Sequence, residues 1–177
     1  MNGENNKRNR HSIRLKGYDY SEEGAYFVTI VAFNREMFFG KVVEGEMVLN
    51  DFGEIAKGEW LKTGEIRHNI EINEDEFCVM PNHFHGIIVI SEDNGRDTAR
   101  RVPTKFGKPV SNSLSIVIGA FKSAVTKRIN QERNTPGVSV WQSRFYDHII
   151  RDEKDYDNIV NYIYMNPSNW ETDEEYC

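Results

Sequence analysis

His83-Phe-His-Gly-Ile-Ile-Val-Ile90, set off by Pro81-Asn82, is a short apolar run enriched in β-branched residues and reads as a central β-strand. Side chains alternate along a strand, so His83 and His85 stand together on one face while Phe84 points to the other. Toward the N-terminus, Ala25-Tyr-Phe-Val-Thr-Ile-Val-Ala32 has the aromatic and β-branched content of a second strand. Phe38 to Val43 and Glu46 to Leu49 flank Glu44-Gly45, a connection that suits a hairpin. Asp51 reads as an N-cap with Glu54 at the capping-box position, and Ile55, Ala56, Trp60 and Leu61 follow at helical spacing. The helix is expected over 52–63, with Gly64 as its stop. Residues 70–80 read as extended chain broken by the polar turn Asn73-Glu-Asp-Glu76.

Toward the C-terminus, Ser91 to Ser111 carries Gly95, Pro103, Gly107, Pro109 and five Lys or Arg, which is loop chemistry over an unusual length. Ser113 is placed to cap a helix running to Gln131, with Leu114, Ile118, Phe121, Val125 and Ile129 along one face. Pro136-Gly137 ends that unit. Residues 141–150 read as an aromatic strand, and 152–164 as a last helix with Tyr156, Ile159, Val160 and Ile163 as its apolar stripe. Pro167 stops it. Strands with intervening helices and no internal repeat predict an α+β chain, a mainly antiparallel sheet with helices packed on it.

With 177 residues, 38% hydrophobic and 12% aromatic, the chain suits one domain with a real core. Its expected parts are a basic arm over 1–20, a single domain over 21–170 with a mobile loop at 92–111, and an acidic tail at 171–177. No apolar run approaches the roughly 18 residues of a membrane span, and the polar first ten residues lack a signal core. Cys78 and Cys177 form no Cys-x-x-Cys pair, which fits a reducing cytoplasm. The net charge of -6 argues against a uniformly basic nucleic-acid binder. Yet Lys7, Arg8, Arg10, Arg14 and Lys16 cluster without an acid, and basic residues outnumber acidic ones between 77 and 170. A locally positive face is compatible with an acidic whole.

The His83/His85 pair offers two imidazoles from a rigid element, the commonest ligand type for transition metals. A third donor is available on the last helix, where Tyr162 and Asn166 are four apart and share a face, with Tyr164 pointing away. The amide oxygen of Asn166 would make a mixed nitrogen and oxygen site with open positions, favouring Mg2+ or Mn2+. Tyr162, one turn earlier, would set a hydroxyl beside the ion as a nucleophile. Judged as residues alone, the same positions equally suit core packing for Tyr162 and a helix C-cap for Asn166. His148 suits either a supporting role at such a site or plain strand packing.

Pro81-Asn-His-Phe-His-Gly-Ile-Ile, Trp141-Gln-Ser-Arg-Phe-Tyr-Asp-His-Ile-Ile-Arg151 and Tyr162-Ile-Tyr-Met-Asn-Pro together resemble the REP-associated tyrosine transposases, a branch of the single-tyrosine HUH transposases. The similarity runs from about Arg14 to Trp170, with the three motifs in the family's order. The resemblance implies a ferredoxin-like or RNA-recognition-like sheet. It implies that His83, His85 and Asn166 bind the divalent metal and that Tyr162 is the nucleophile. It further implies cleavage and rejoining of single-stranded DNA at hairpin-forming palindromic repeats through a 5'-phosphotyrosine, without ATP, in the prokaryotic cytoplasm at the nucleoid. Either a monomer or a homodimer fits. Arg14, Lys122, Lys127, Arg128 and Arg144 are the candidate phosphate contacts, with Arg96, Arg100 and Arg101 as a clamp from the long loop. The alternative is a non-catalytic single-stranded nucleic-acid binding module on the same sheet.

Overall fold

The computed structural model describes residues 23–91 and 113–172. The basic arm with Arg14, the loop over 92–111 with Arg96, Arg100 and Arg101, and residues 173–177 of the tail lie outside the described residues. The strands are β1 (Gly24–Val31), β2 (Gly40–Val43), β3 (Glu46–Leu49), β4 (Ile70–Glu71), β5 (Phe77–Val79), β6 (His83–Ile90) and β7 (Tyr146–Ile150). The helices are α1 (Asp51–Glu65), α2 (Leu114–Glu132) and α3 (Glu153–Met165). The main sheet has the order β4-β6-β1-β7, with β5 pairing β6 further along, and every pairing is antiparallel. With β4 and β5 as two pieces of one edge, the chain runs β-α-β-β-α-β, the ferredoxin-like arrangement that the resemblance implied.

Residues directly opposite in an antiparallel pair share a face. The β1–β6 register runs from Gly24 opposite Ile90 to Val31 opposite His83. One face therefore collects Tyr26, Val28 and Ile30 with Phe84, Ile88 and Ile90, all buried. Against it pack Ala56 and Trp60 of α1 and Leu114, Val117, Ile118, Phe121, Val125 and Ile129 of α2, forming the core. The Trp60 ring lies 4.8 Å from Phe84 and 5.1 Å from Phe121. Gly86 makes this possible: a Cβ there would sit 2.8 Å from Trp60 Cζ2 and 3.0 Å from Phe84 Cε1. Where α1 and α2 meet, Arg128 donates to the buried Glu59 carboxylate at 2.8 Å.

Glu44 and Gly45 form the β2–β3 turn with φ of 53° and 80°, both left-handed as the tightest hairpins demand. Three boundaries differ from the sequence reading. Asn50, not Asp51, caps α1: its Oδ1 accepts from the N–H groups of Phe52 and Gly53 at 3.0 Å, while its Nδ2 donates to the Phe38 carbonyl at 2.9 Å. One amide thus satisfies the helix start and ties it to the chain entering the hairpin. Gly64 stays helical, and α1 ends at Glu65. The aromatic strand expected over 141–150 shortens to β7, leaving Trp141 as an isolated bridge to Ala32. The cause is Lys122, whose Nζ donates to the carbonyls of Gln142, Ser143 and Arg144 at 2.6, 3.3 and 3.4 Å and draws them out of the ladder.

Replacing Gly86 by Ala should overpack the Trp60 contact and cost about 1–3 kcal/mol of stability. Urea denaturation of the two proteins reads this as a lower midpoint with an unchanged slope.

Candidate active site

The alternation that sends Phe84 into the core sends His83 and His85 to the opposite face, where Thr29 and Phe27 of β1 stand beside them. The two imidazole centroids are 4.4 Å apart, and both residues are buried. Nδ1 of His85 lies 2.9 Å from Thr29 Oγ1, and Nδ1 of His83 lies 2.9 Å from Asn82 Oδ1. Phe27 stacks on the His85 ring at 5.3 Å, and Trp170 lies 5.8 Å from His83. Burial, aided by the neighbouring His83, holds the His85 pKa well below the ordinary value of 6.5, so the ring is neutral at pH 7. In the tautomer that gives the Nδ1 proton to Thr29, Nε2 keeps its lone pair.

α3 supplies the other half of the site. Asp152 caps it by accepting from the Asp155 N–H at 2.9 Å. The Tyr162 hydroxyl stands 3.2 Å from His85 Nε2, and its ring meets Phe27 edge-on at 6.0 Å. It remains 44% exposed, whereas Asn166, one turn on, is buried and Tyr164 is 77% exposed. The structure thus brings together Tyr162, His83 and His85, with Asn166 buried one turn on along α3 and Tyr164 outside. His83 and Asn166 make other contacts; no hydrogen bond reaches His83 Nε2 or Asn166 Oδ1. Among the described residues no three His, Cys, Asp or Glu converge as a metal cluster.

The candidate phosphate contacts are not gathered at this face. Lys122, Lys127 and Arg128 belong to α2, which packs on the other side of the sheet. Lys122 is occupied by the three carbonyls that shorten β7, and Arg128 by Glu59. Lys127 lines a groove of about 480 Å³ between α2 and residues 137–143, and Arg144 lies just before β7. Tyr146, opposite Thr29 in the ladder, shares the histidine face and is 46% exposed, which suits a stacking platform; Trp141 is buried in the core. His148, opposite Phe27, is exposed and turns to α3, where its Nε2 lies 2.8 Å from Asp155 Oδ2. This bond, with the Arg151 N–H, keeps the Asp155 carboxyl below its ordinary pKa.

Sequence reasoning missed Thr29, Phe27, Asn82 and Trp170. Only Asn82 carried a local signal, its adjacency to His83; Thr29 and Phe27 needed the β1–β6 register, which periodicity alone does not set. Cys78, opposite His85 on β5, is pushed up to about 12 by burial.

Two outcomes follow from this geometry. Thr29→Val leaves His85 Nδ1 buried without its hydroxyl and should cost about 1–3 kcal/mol in chemical denaturation. Cys78, with a negligible thiolate fraction, should resist iodoacetamide at pH 8 in the folded protein and react after unfolding, as mapped by peptide mass spectrometry.

No protein-family model matches the chain. An uncharacterised protein of Haemophilus influenzae is 40% identical over 174 residues, covering 94% of this chain and 93% of its own. A putative REP-associated tyrosine transposase of the same organism is 26% identical over 152 residues, 84% of this chain and 73% of the relative. The solved structure of a REP-associated tyrosine transposase bound to a REP hairpin aligns over 87% of this chain and 72% of that one, with a TM-score of 0.52 and 22% identity. That likeness is one of fold.

Proposed function

Because the chain belongs to the REP-associated tyrosine transposases, we propose that it cleaves and rejoins single-stranded DNA beside hairpin-forming palindromic repeats, with Tyr162 as nucleophile. The observation that carries this reading is the half-exposed Tyr162 hydroxyl at 3.2 Å from Nε2 of the buried, neutral His85. In the forward step the Tyr162 oxygen bonds to phosphorus, the bond from phosphorus to the 3' oxygen breaks, and the departing oxygen takes a proton. The product is a 5'-phosphotyrosine and a free 3'-hydroxyl. Attack by a 3'-hydroxyl on that linkage restores Tyr162 and a continuous strand, so the number of phosphoester bonds is conserved and no ATP is needed.

His83, His85 and Asn166 fit a divalent ion such as Mg2+ or Mn2+ by donor chemistry: two imidazoles from one strand face and an amide oxygen from α3, with His83 Nε2 and Asn166 Oδ1 buried and not hydrogen-bonded. Such an ion would polarise the phosphoryl oxygen and favour attack. His85 Nε2 has one lone pair, which serves either the ion or the Tyr162 hydroxyl. Were His85 to hold such an ion, the Tyr162 hydroxyl would be free to turn toward the phosphate. Its exposure on one side leaves room for that rotation. Lys127, in the groove between α2 and residues 137–143, and Arg144, just before β7, are the candidates for phosphate contacts among the described residues.

Labelled hairpin oligonucleotides with single-stranded flanks, incubated with the protein in Mn2+, Mg2+ or EDTA, should give a covalent adduct that depends on metal and maps to Tyr162 by mass spectrometry. Tyr162→Phe should abolish the adduct and keep DNA affinity. Tight binding with no adduct under any metal would point instead to a binding module.

A further inference from the structure

α3 covers the histidine face while burying a single residue within its span, Ile163. Burial alone therefore does little to fix where the helix lies along the sheet. Its first turn is held instead by side chains from both edges. Glu76, Ile87, Phe27 and His148 form one row across the strands: Ile87 N–H donates to the Glu76 carbonyl at 2.9 Å, Ile87 opposes Phe27, and Phe27 opposes His148. The ends of that row, three inter-strand gaps or about 14 Å apart, both reach α3. His148 Nε2 lies 2.8 Å from Asp155 Oδ2, and the Tyr156 hydroxyl donates to Glu76 Oε1 at 2.5 Å.

The spacing connects this clasp to the site. Asp155, Tyr162 and Asn166 fall at i, i+7 and i+11, a shared helical stripe. Asp155 to Tyr162 spans about 10 Å of helix axis. The row of His85 lies two residues along β6 from the row of Ile87, about 7 Å away. A helix pinned at the Ile87 row and running back along β6 thus delivers Tyr162 to His85, its hydroxyl 3.2 Å from Nε2. A slip of one residue would shift the helix by about 1.5 Å and turn it by about 100°, which removes the tyrosine from the histidine.

We propose that His148 and Glu76 are positioning residues, acting through Asp155 and Tyr156 to set the register and rotation of the helix that carries Tyr162. The proposal rests on Tyr162 being the nucleophile. The His148–Asp155 pair is solvent-accessible, so its contribution to global stability is small and its effect is on geometry.

The test compares wild type, His148→Ala/Tyr156→Phe, His148→Gln and Glu76→Gln. His148→Gln keeps a donor for Asp155, and Glu76→Gln keeps an acceptor for Tyr156. In single-turnover adduct formation on a hairpin oligonucleotide the double variant should be about 10- to 100-fold slower, with unchanged DNA Kd and unchanged melting temperature. The two Gln variants should stay near the wild-type rate. Without DNA, nitrogen NMR of the His85 ring should shift in the double variant, as the Tyr162 hydroxyl leaves Nε2, and stay in place in the Gln variants. A wild-type rate or an unmoved His85 signal in the double variant overturns the proposal, as does a rate loss that only tracks melting temperature. If wild type itself forms no adduct, the nucleophile assignment fails, and the NMR comparison still decides whether the clasp positions the helix.

Discussion

The antiparallel ladder between β1 and β6 fixes two things at once, and the rest of the molecule is arranged around it. Its register sets Thr29 against His85, so that the hydroxyl orients the imidazole, and sets Phe27 where it stacks on that ring and meets Tyr162 edge-on. On the reverse face the same strands wedge Phe84 and the bare backbone of Gly86 against Trp60. A slip of one residue would carry the histidines into the aromatic core and Phe84 out of it, so hydrophobic packing enforces the geometry of the polar site. The core holds the site in place without touching its chemistry.

Charge is distributed with comparable economy. Carboxylates described in the structure serve architecture: Glu59 receives Arg128 between the two core helices, Asp152 caps α3, and Asp155 and Glu76 receive His148 and Tyr156. The histidine pair itself is paired with a hydroxyl and an amide, and burial keeps His85 uncharged. A divalent ion on such neutral donors would carry its full positive charge to an incoming phosphodiester. An acidic net charge and the proposed phosphate-binding role are then compatible, because no carboxylate is among the partners of the two imidazoles described above.

Much of this was legible in the chain. Alternation in His83–Ile90 gave the strand, its two faces and the adjacency of the histidines, and the four-residue spacing of Tyr162 and Asn166 gave their common helix face. Local chemistry sufficed for those features because each depends on periodicity within one element. Thr29 was invisible as a site residue, because nothing within β1 says which residue of β6 will stand opposite it. His148 was ambiguous for the same reason: its partner lies on the next helix, and only the packing of α3 across the sheet brings Asp155 to it. The shortened β7 has a long-range cause as well, a lysine on α2 whose ammonium collects three carbonyls. The α1 cap was misplaced by one residue because Asn50 and Asp51 are both good caps, and the bond from Asn50 to Phe38 decides between them.

The small apolar footprint of α3 has an energetic consequence. A helix that keeps Ile163 as its one buried residue, while the two core helices bury many, can detach at a fraction of the free energy needed to dissolve the sheet. The amide protons of α3 would then exchange with solvent long before those of β1 and β6. Local melting of this kind would leave the histidine face open to solvent while the core remains intact. A single-stranded polymer could be threaded onto or off that face through such an opening, with the energy of the hydrophobic core left untouched.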